Sequence, residues 1–339
     1  MSQRCEQKAG FGFMGAALWA LATLAIWGLQ HNQAFAAQWK PTEQLEMIIP
    51  TKAGSGVDNT ARTVQAILQA NKLVPSPIIA LNKPGGGYAV AMGYLDRFPG
   101  DGHRLFVQTS TPLAGFITGQ LKFNYFDFTP IANLINEPVA FMVRPDSPIK
   151  DAKGLVARLK KDPGAVTIGI AAARGNAFHI TAALLARAAN IDPNRLMVVV
   201  FTSSSDGMAQ VMGGHVDMFL ATPANFKSLL EAGRIRMIGM SSLRRLDGVL
   251  ATVPTFKEQG LDVQFSVWRG VLGAKGLSPA QVAYWDDAFG RMANSKEWRQ
   301  AVEKNGWVSD YKNSRETKEY IKAEHELLKS VLMELGMVK

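Results

Sequence analysis

Cysteine is almost absent from this chain. The single one, Cys5, stands within the first 37 residues, so nothing after them can form a disulfide or a cysteine-based metal site. Histidine is sparse too. Beyond residue 37 there are His103, His179, His215 and His325, none at the two-histidine spacing of a helical zinc site. No G-x-S-x-G elbow and no G-x-x-x-x-G-K-[ST] loop occurs. The stretch from Gly54 to Asn59 lacks the third glycine of a dinucleotide fingerprint and has no clear acidic residue after the second strand. The adjacent basic pairs Lys160-Lys161 and Arg244-Arg245 are isolated, with no Lys/Arg stripe interleaved with aromatics, so nucleic acid is not an expected partner. These absences leave no support for a metal, a cofactor or covalent catalysis. A secreted enzyme using His179 and Asp206 is the weakest of the remaining readings.

Long apolar runs are confined to the start. Arg4 and Lys8 precede a charge-free run from Phe11 to Leu29, and Ala34-Phe35-Ala36 has an A-x-A cleavage pattern. This predicts a signal peptide over residues 1–37, cut after Ala36 or Ala37, and a periplasmic product. The run exceeds the ~7–15 residues of a usual signal core and approaches the ~20 that span a bilayer, so an uncleaved anchor is the competing reading. No cysteine stands at the cleavage site to carry a lipid. Without residues 1–37 the basic residues fall from 37 to 35 and the acidic ones from 28 to 27, a formal charge of +8. Such a surface favours anionic partners: small carboxylates, phosphates or a membrane surface.

At ~150 residues per domain the length predicts two domains. Seven β-branched, continuously apolar runs are each followed by a Gly/Ser/Thr/Pro cluster and then a helical pattern. They cover 45–50, 77–82, 104–109, 166–172, 196–201, 216–222 and 236–242. The expected fold class is therefore α/β, with largely parallel sheets covered on both faces. Val64, Ile67 and Leu68 share one helical face, as do Leu184, Leu185 and Ala188. The segment from Phe141 to Leu155, with Pro145 and Pro148 around a polar turn, is the expected crossing between domains. Ser278 and Pro279 read as the N-cap and first residue of a helix, and residues 314–335 as a long final helix. These last helices are expected to pack back on the first domain.

In a doubly wound sheet ligands sit where strand carboxyl ends meet helix N-termini. Five loops stand there: 51–59, 82–87, 109–112, 172–176 and 202–207. Glycine lets the backbone approach a ligand, free amides at a helix start carry partial positive charge, and hydroxyls add neutral donors. Together they suit reversible capture of a carboxylate. Asp58 alone reads better as a helix N-cap than as a ligand contact. His179, early in its helix, either orients an anion or packs. Arg174 and Arg269 are the candidate carboxylate forks. Arg269 lies in an apolar stretch, where a structural ion pair is the equal alternative.

With the loops placed, the chain resembles the substrate-binding family of tripartite tricarboxylate transporters, the TctC or Bug proteins. The residues that carry this are 48–62, 82–91, 99–107, 127–134, 212–218, 231–245, 253–263 and 268–279, in that order. The resemblance implies a periplasmic-binding-protein fold of type II kind, with a ligand cleft between two lobes. The first lobe would take residues 38–140 and 264–339, and the second 141–263. It also implies a monomer that passes a small carboxylate, citrate-like, to a large and a small integral membrane subunit, with no cofactor. Ala53, Gly54, Ser55, Asp58, Gly85, Gly86 and Gly87 would form the first-lobe side of the cleft, with Thr109, Ser110 and Thr111 beside it. The second-lobe side would be Ala172 to His179, including Arg174 and Asn176, and Thr202, Ser203, Ser204 and Asp206. Many members have Ser-x-Gly-x-Gly-Ser where this chain has "AAARGNAFH", and Tyr-Lys-Gly where it has "FTSSSDG". With "WRG" around Arg269, this looks closest to the tricarboxylate-binding branch. An aromatic dicarboxylate as ligand, and a sensor kinase as the membrane partner, are the alternatives.

Overall fold

Seven apolar runs became strands, yet the two longest strands of the fold are not among them. The computed structural model describes residues 39–171 and 173–338, and the leader expected over 1–37 lies outside them. A six-stranded sheet holds β1 (Leu45–Ile49), β2 (Ile78–Asn82), β3 (Arg104–Gln108), β4 (Phe128–Pro138), β10 (Ser266–Lys275) and β11 (Ser309–Lys312). Its order is β11-β4-β10-β3-β1-β2. A five-stranded sheet holds β5 (Ala140–Val143), β6 (Thr167–Ala171), β7 (Met197–Phe201), β8 (Met218–Ala221) and β9 (Arg236–Met240), in the order β7-β6-β8-β5-β9.

Each sheet is mixed, which corrects the expectation of largely parallel ones. β1 runs parallel to β2 and β3, but β10 is antiparallel to β3 and β4, and β11 to β4. β6 is parallel to β7 and β8, while β5 is antiparallel to β8 and β9. β4 escapes apolar-run reading because it carries Asn133 and Glu137 at fully buried positions. Both find partners in distant residues: Asn133 donates to the Asp310 carbonyl at 2.8 Å, and Glu137 forms an ion pair with Arg269.

The passage between sheets is also shorter than expected. Only Val139 separates β4 of one sheet from β5 of the other, so the crossing is not the 141–155 segment. That segment instead finishes β5 and turns into α4 (Ala152–Lys161), its carbonyls at Pro145, Ser147 and Ile149 taken up by the Arg236 guanidinium. The chain returns between Ser241 and Phe265.

The helices before α4 are α1 (Gly56–Ala70), α2 (Ala89–Leu95) and α3 (Ser110–Ile117). After it come α5 (Ala177–Ala188), α6 (Ser204–Met212), α7 (Lys227–Glu231), α8 (Pro279–Ala293), α9 (Lys296–Asn305) and α10 (Ser314–Glu334). Ser278 caps α8 as read from sequence, in a reciprocal box with Gln281. α10 packs on β4 and α3 and also reaches α5, where Arg187 and Glu334 pair at 2.7 Å. Trp268, Trp285 and Trp298 are each fully buried. Burial of a large apolar side chain contributes about 1.5–3 kcal/mol, so packing of this kind stabilises a fold that has no disulfide after residue 37. Among the described residues no helix is long and apolar enough to cross a membrane.

Candidate functional site

The parallel trio in each sheet sets its strand-to-helix loops along one edge. After β1, Ser55 caps α1 by accepting from the Asp58 amide at 3.2 Å. Asp58 is therefore not the cap: it sits in the first turn, 2 % exposed, with both carboxylate oxygens engaged. They accept from the Gly54 amide at 2.9 Å, from Arg62 Nε at 3.0 and 3.1 Å, and from Asn82 Nδ2 at 2.8 Å. Burial alone would raise its pKa, but the bonds from Arg62, Asn82 and Gly54 outweigh it and hold the carboxyl below its ordinary value. Asp58 shapes the loop and leaves Ala53 and Gly54 exposed. Asn82, absent from the sequence-based site, ties the first two loops together by also donating to the Thr51 carbonyl at 2.9 Å.

After β2 the backbone passes through four successive left-handed residues: Gly85 (φ 129°), Gly86 (57°), Gly87 (57°) and Tyr88 (81°). Only glycine takes such angles cheaply, so a tyrosine there is held by its surroundings. Its hydroxyl lies 3.3 Å from Thr109 Oγ1, which is 3.1 Å from Thr111 Oγ1 and caps α3 by accepting from the Thr111 amide. Burial raises the Tyr88 pKa, so this hydroxyl is neutral. Three glycines followed by an aromatic residue were the signal that could have found it.

In the other sheet, Asn176 caps α5 by accepting from the Phe178 and His179 amides, both at 3.1 Å, and its own amide donates to Ala171. His179 is buried, and its Nδ1 accepts from the Gly175 amide at 2.9 Å. Burial first, and the Arg174 charge second, push its pKa down to about 4, so it is neutral and holds the loop. Arg174 is exposed, with one nitrogen anchored on the Val198 carbonyl at 2.7 Å. After β7, Ser203 caps α6 by accepting from the Asp206 amide, and Thr202 bonds the Asp206 carboxylate at 3.2 Å. Ser204 opens that helix.

Loops from both sheets meet at a cavity of about 170 Å³ whose walls include Gly86, Gly87, Ser110, Thr111, Arg174 and Asn176. Gln120 and Met337, which nothing in the sequence marks, also line it. Ala53, Gly54, Ser55 and Asp58 do not, nor do Gly85, Thr109, His179, Thr202, Ser203, Ser204 and Asp206. Arg269 is elsewhere, in the ion pair its apolar setting also allowed. It is 7 % exposed, paired with the buried Glu137 and bonded to Thr60 at 3.2 Å. A β-carbon on Gly56 would stand 3.1 Å from its guanidinium, so Arg269 underlies the first turn of α1. Burial, ahead of the opposing pull of Arg269, raises the Glu137 pKa. Among the described residues no group of three or more His, Cys, Asp or Glu could hold a metal ion.

The cavity thus gathers glycine backbone, hydroxyls and one guanidinium, residue types suited to an anion. The family described as "Tripartite tricarboxylate transporter family receptor", TctC, matches residues 60–337. A Cupriavidus necator protein, "UPF0065 protein in gbd 5'region", is 27 % identical over 331 residues, spanning 96 % of this chain and 98 % of the relative. A TctC solute-binding protein from Polaromonas superposes with a TM-score of 0.75 at 23 % identity, over 87 % of this chain and 99 % of that one. Two Rhodopseudomonas palustris structures, Rpa4515 with adipate and MatC with bound malate, give 0.73 and 0.65 at 20 % and 23 % identity. Each aligns over 88 % of this chain, and over 99 % and 100 % of its own, respectively. The two-lobed fold and the family match are those of a solute-binding protein and not of an enzyme, and the chain belongs to the TctC family of tripartite tricarboxylate transporter receptors.

Proposed function

We propose that the chain works in the periplasm, capturing a small di- or tricarboxylate, citrate-like in its charge spacing, between its lobes. It then delivers that acid to a membrane transporter with a large and a small integral subunit. The observation that carries this reading is the convergence of Gly86 and Gly87, Ser110 and Thr111, and Arg174 and Asn176 on one cavity. Amides and hydroxyls suit one carboxylate, and the planar Arg174 guanidinium suits a second. At about 170 Å³ the cavity is small beside the ~300–1,000 Å³ of drug-sized sites, which favours a short acid. The malate and adipate bound by two neighbours are both two-ended acids, in line with this. A ligand that touches both lobes favours their closed arrangement by its differential affinity, and the closed form is what a membrane partner distinguishes.

The test is thermal unfolding of protein lacking residues 1–37, with malate, adipate, citrate and acetate. A ligand at ~100 times its dissociation constant adds about 2.7 kcal/mol to the native state. The expected result is a raised midpoint with at least one di- or tricarboxylate, lost in Arg174→Ala. A shift with acetate alone would remove the role given to Arg174, and no shift with any acid would overturn the carboxylate reading.

A further inference from the structure

Two larger cavities lie away from these loops. One is about 480 Å³ and the other about 590 Å³, and they share Arg244, Leu246, Val308 and Ser309, which makes them one continuous groove. Strand order locates it. β9 and β11 are the free edges of their sheets, at the opposite end from β7 and β2, whereas the small cavity is built by the loops after β2, β3 and β6. One wall is the segment that follows β9, and the other is the end of α9 with the start of β11. Each sheet contributes one wall, so the shape of the groove depends on the arrangement of the two lobes.

Its charge is lopsided only at the α9 end, where Lys227, Arg244, Arg245 and Arg299 face Asp247 and Glu303. At the other end Lys312 is paired with Asp310, and Glu324 lines the wall beside them. Arg245 is engaged by Glu258 at 3.0 Å and Arg299 by the Asn294 carbonyl at 2.8 Å. Lys227 and Arg244 are exposed and have no ion pair among the described residues. Leu243, 67 % exposed, stands on the rim.

We propose that this groove docks an acidic, partly apolar peptide segment of the membrane-embedded partner, a proposal that rests on the delivery reading above. Three features select that occupant. The uncompensated cations call for carboxylates, and the exposed leucine calls for an apolar residue beside them. A groove of this length is oversized for one small acid. Its concavity suits a chain segment better than a flat lipid surface. A partner seated there touches both lobes and so reads their closure, while the carboxylate loops at the other end stay unobstructed for release.

The experiment compares wild type with Lys227→Glu/Arg244→Glu, using the full mature chain and the carboxylate that raises its unfolding midpoint. Dissociation constants come from calorimetry, and radiolabelled uptake is followed in membrane vesicles from the source cells, supplied with each protein. The expected result is an unchanged dissociation constant with uptake reduced about tenfold or more. Equal uptake with both proteins would overturn the docking site. Wild type that binds the acid but stimulates no uptake would overturn the delivery reading, and docking with it, whereas a carboxylate failure would show already in calorimetry. Sedimentation of wild type, but not the variant, with phosphatidylglycerol vesicles would identify a lipid partner and overturn the peptide. If the double reversal does not fold, Lys227→Gln/Arg244→Gln replaces it.

Discussion

Ser241 Oγ accepts a hydrogen bond from the Val139 amide at 2.8 Å, although the two residues are 102 positions apart. The same hydroxyl donates to the Phe265 carbonyl at 2.5 Å. Val139 is the outward crossing between sheets and Phe265 the return, so one buried side chain clasps both. Ser241→Ala leaves an amide and a carbonyl each one bond short. We expect a loss of about 1–3 kcal/mol in urea unfolding, together with a larger open population by small-angle scattering. An unchanged midpoint would show that the clasp is not what holds the crossings.

The Arg269–Glu137 pair is buried on both sides. Arg269→Ala strands a carboxyl without its partner, and breaking such a pair costs about 3–5 kcal/mol. Arg269→Met combined with Glu137→Leu removes both charges and should recover most of that loss. Denaturant titration of the three proteins checks it: a double variant as unstable as the single one would mean packing, and not the stranded charge, is responsible.

Two buried groups titrate in opposite senses. Burial raises the Glu324 carboxyl to about 7, against the opposing bond from the Trp268 indole at 3.2 Å. A raised folded pKa favours the protonated native state, so its contribution is fully present below about 4.5 and is lost as pH rises through about 7. His179, pushed down to about 4, does the reverse: its contribution is present above about 6.5 and is lost as pH falls through about 4. Each limb spans up to about 3 kcal/mol, and between pH 4.5 and 6.5 they oppose each other. Stability measured by denaturant from pH 4.5 to 7 should therefore slope downward with pH in His179→Gln and upward in Glu324→Gln, with wild type flatter than both. Parallel profiles for all three would refute the assignment.

Gly207 lies in the first turn of α6, where an added β-carbon would stand 2.1 Å from the Phe219 ring. Phe219 is fully buried and packs near Phe201 and Phe226, so the ring has little room to yield. Gly207→Ala should cost about 1–3 kcal/mol by overpacking, read as a lower midpoint. A wild-type midpoint would mean that the ring repacks freely.

The legible parts of this fold are those governed by near neighbours. The apolar runs that became β1, β2, β3, β6, β7, β8 and β9, the Ser278 cap and the long α10 were readable because periodicity and capping act within a few residues. Cap assignment failed at Asp58, where Ser55 three residues earlier also qualifies and only the Gly54 and Asn82 contacts decide between them. β4 was missed because its buried Asn133 and Glu137 look unsuited to a core until Asp310 and Arg269 arrive from far along the chain.

The candidate site divides along the same line. Sequence alone determined which loops have the glycines, hydroxyls and arginine to hold an anion, since those are properties of residue type and local backbone. Tertiary structure decided that Arg174 and not Arg269 stands at the cavity, and that His179 and Asp58 brace loops. The reason is physical: a side chain's partner is set by how two sheets dock through contacts such as Val139 with Ser241, and no local pattern encodes that distance.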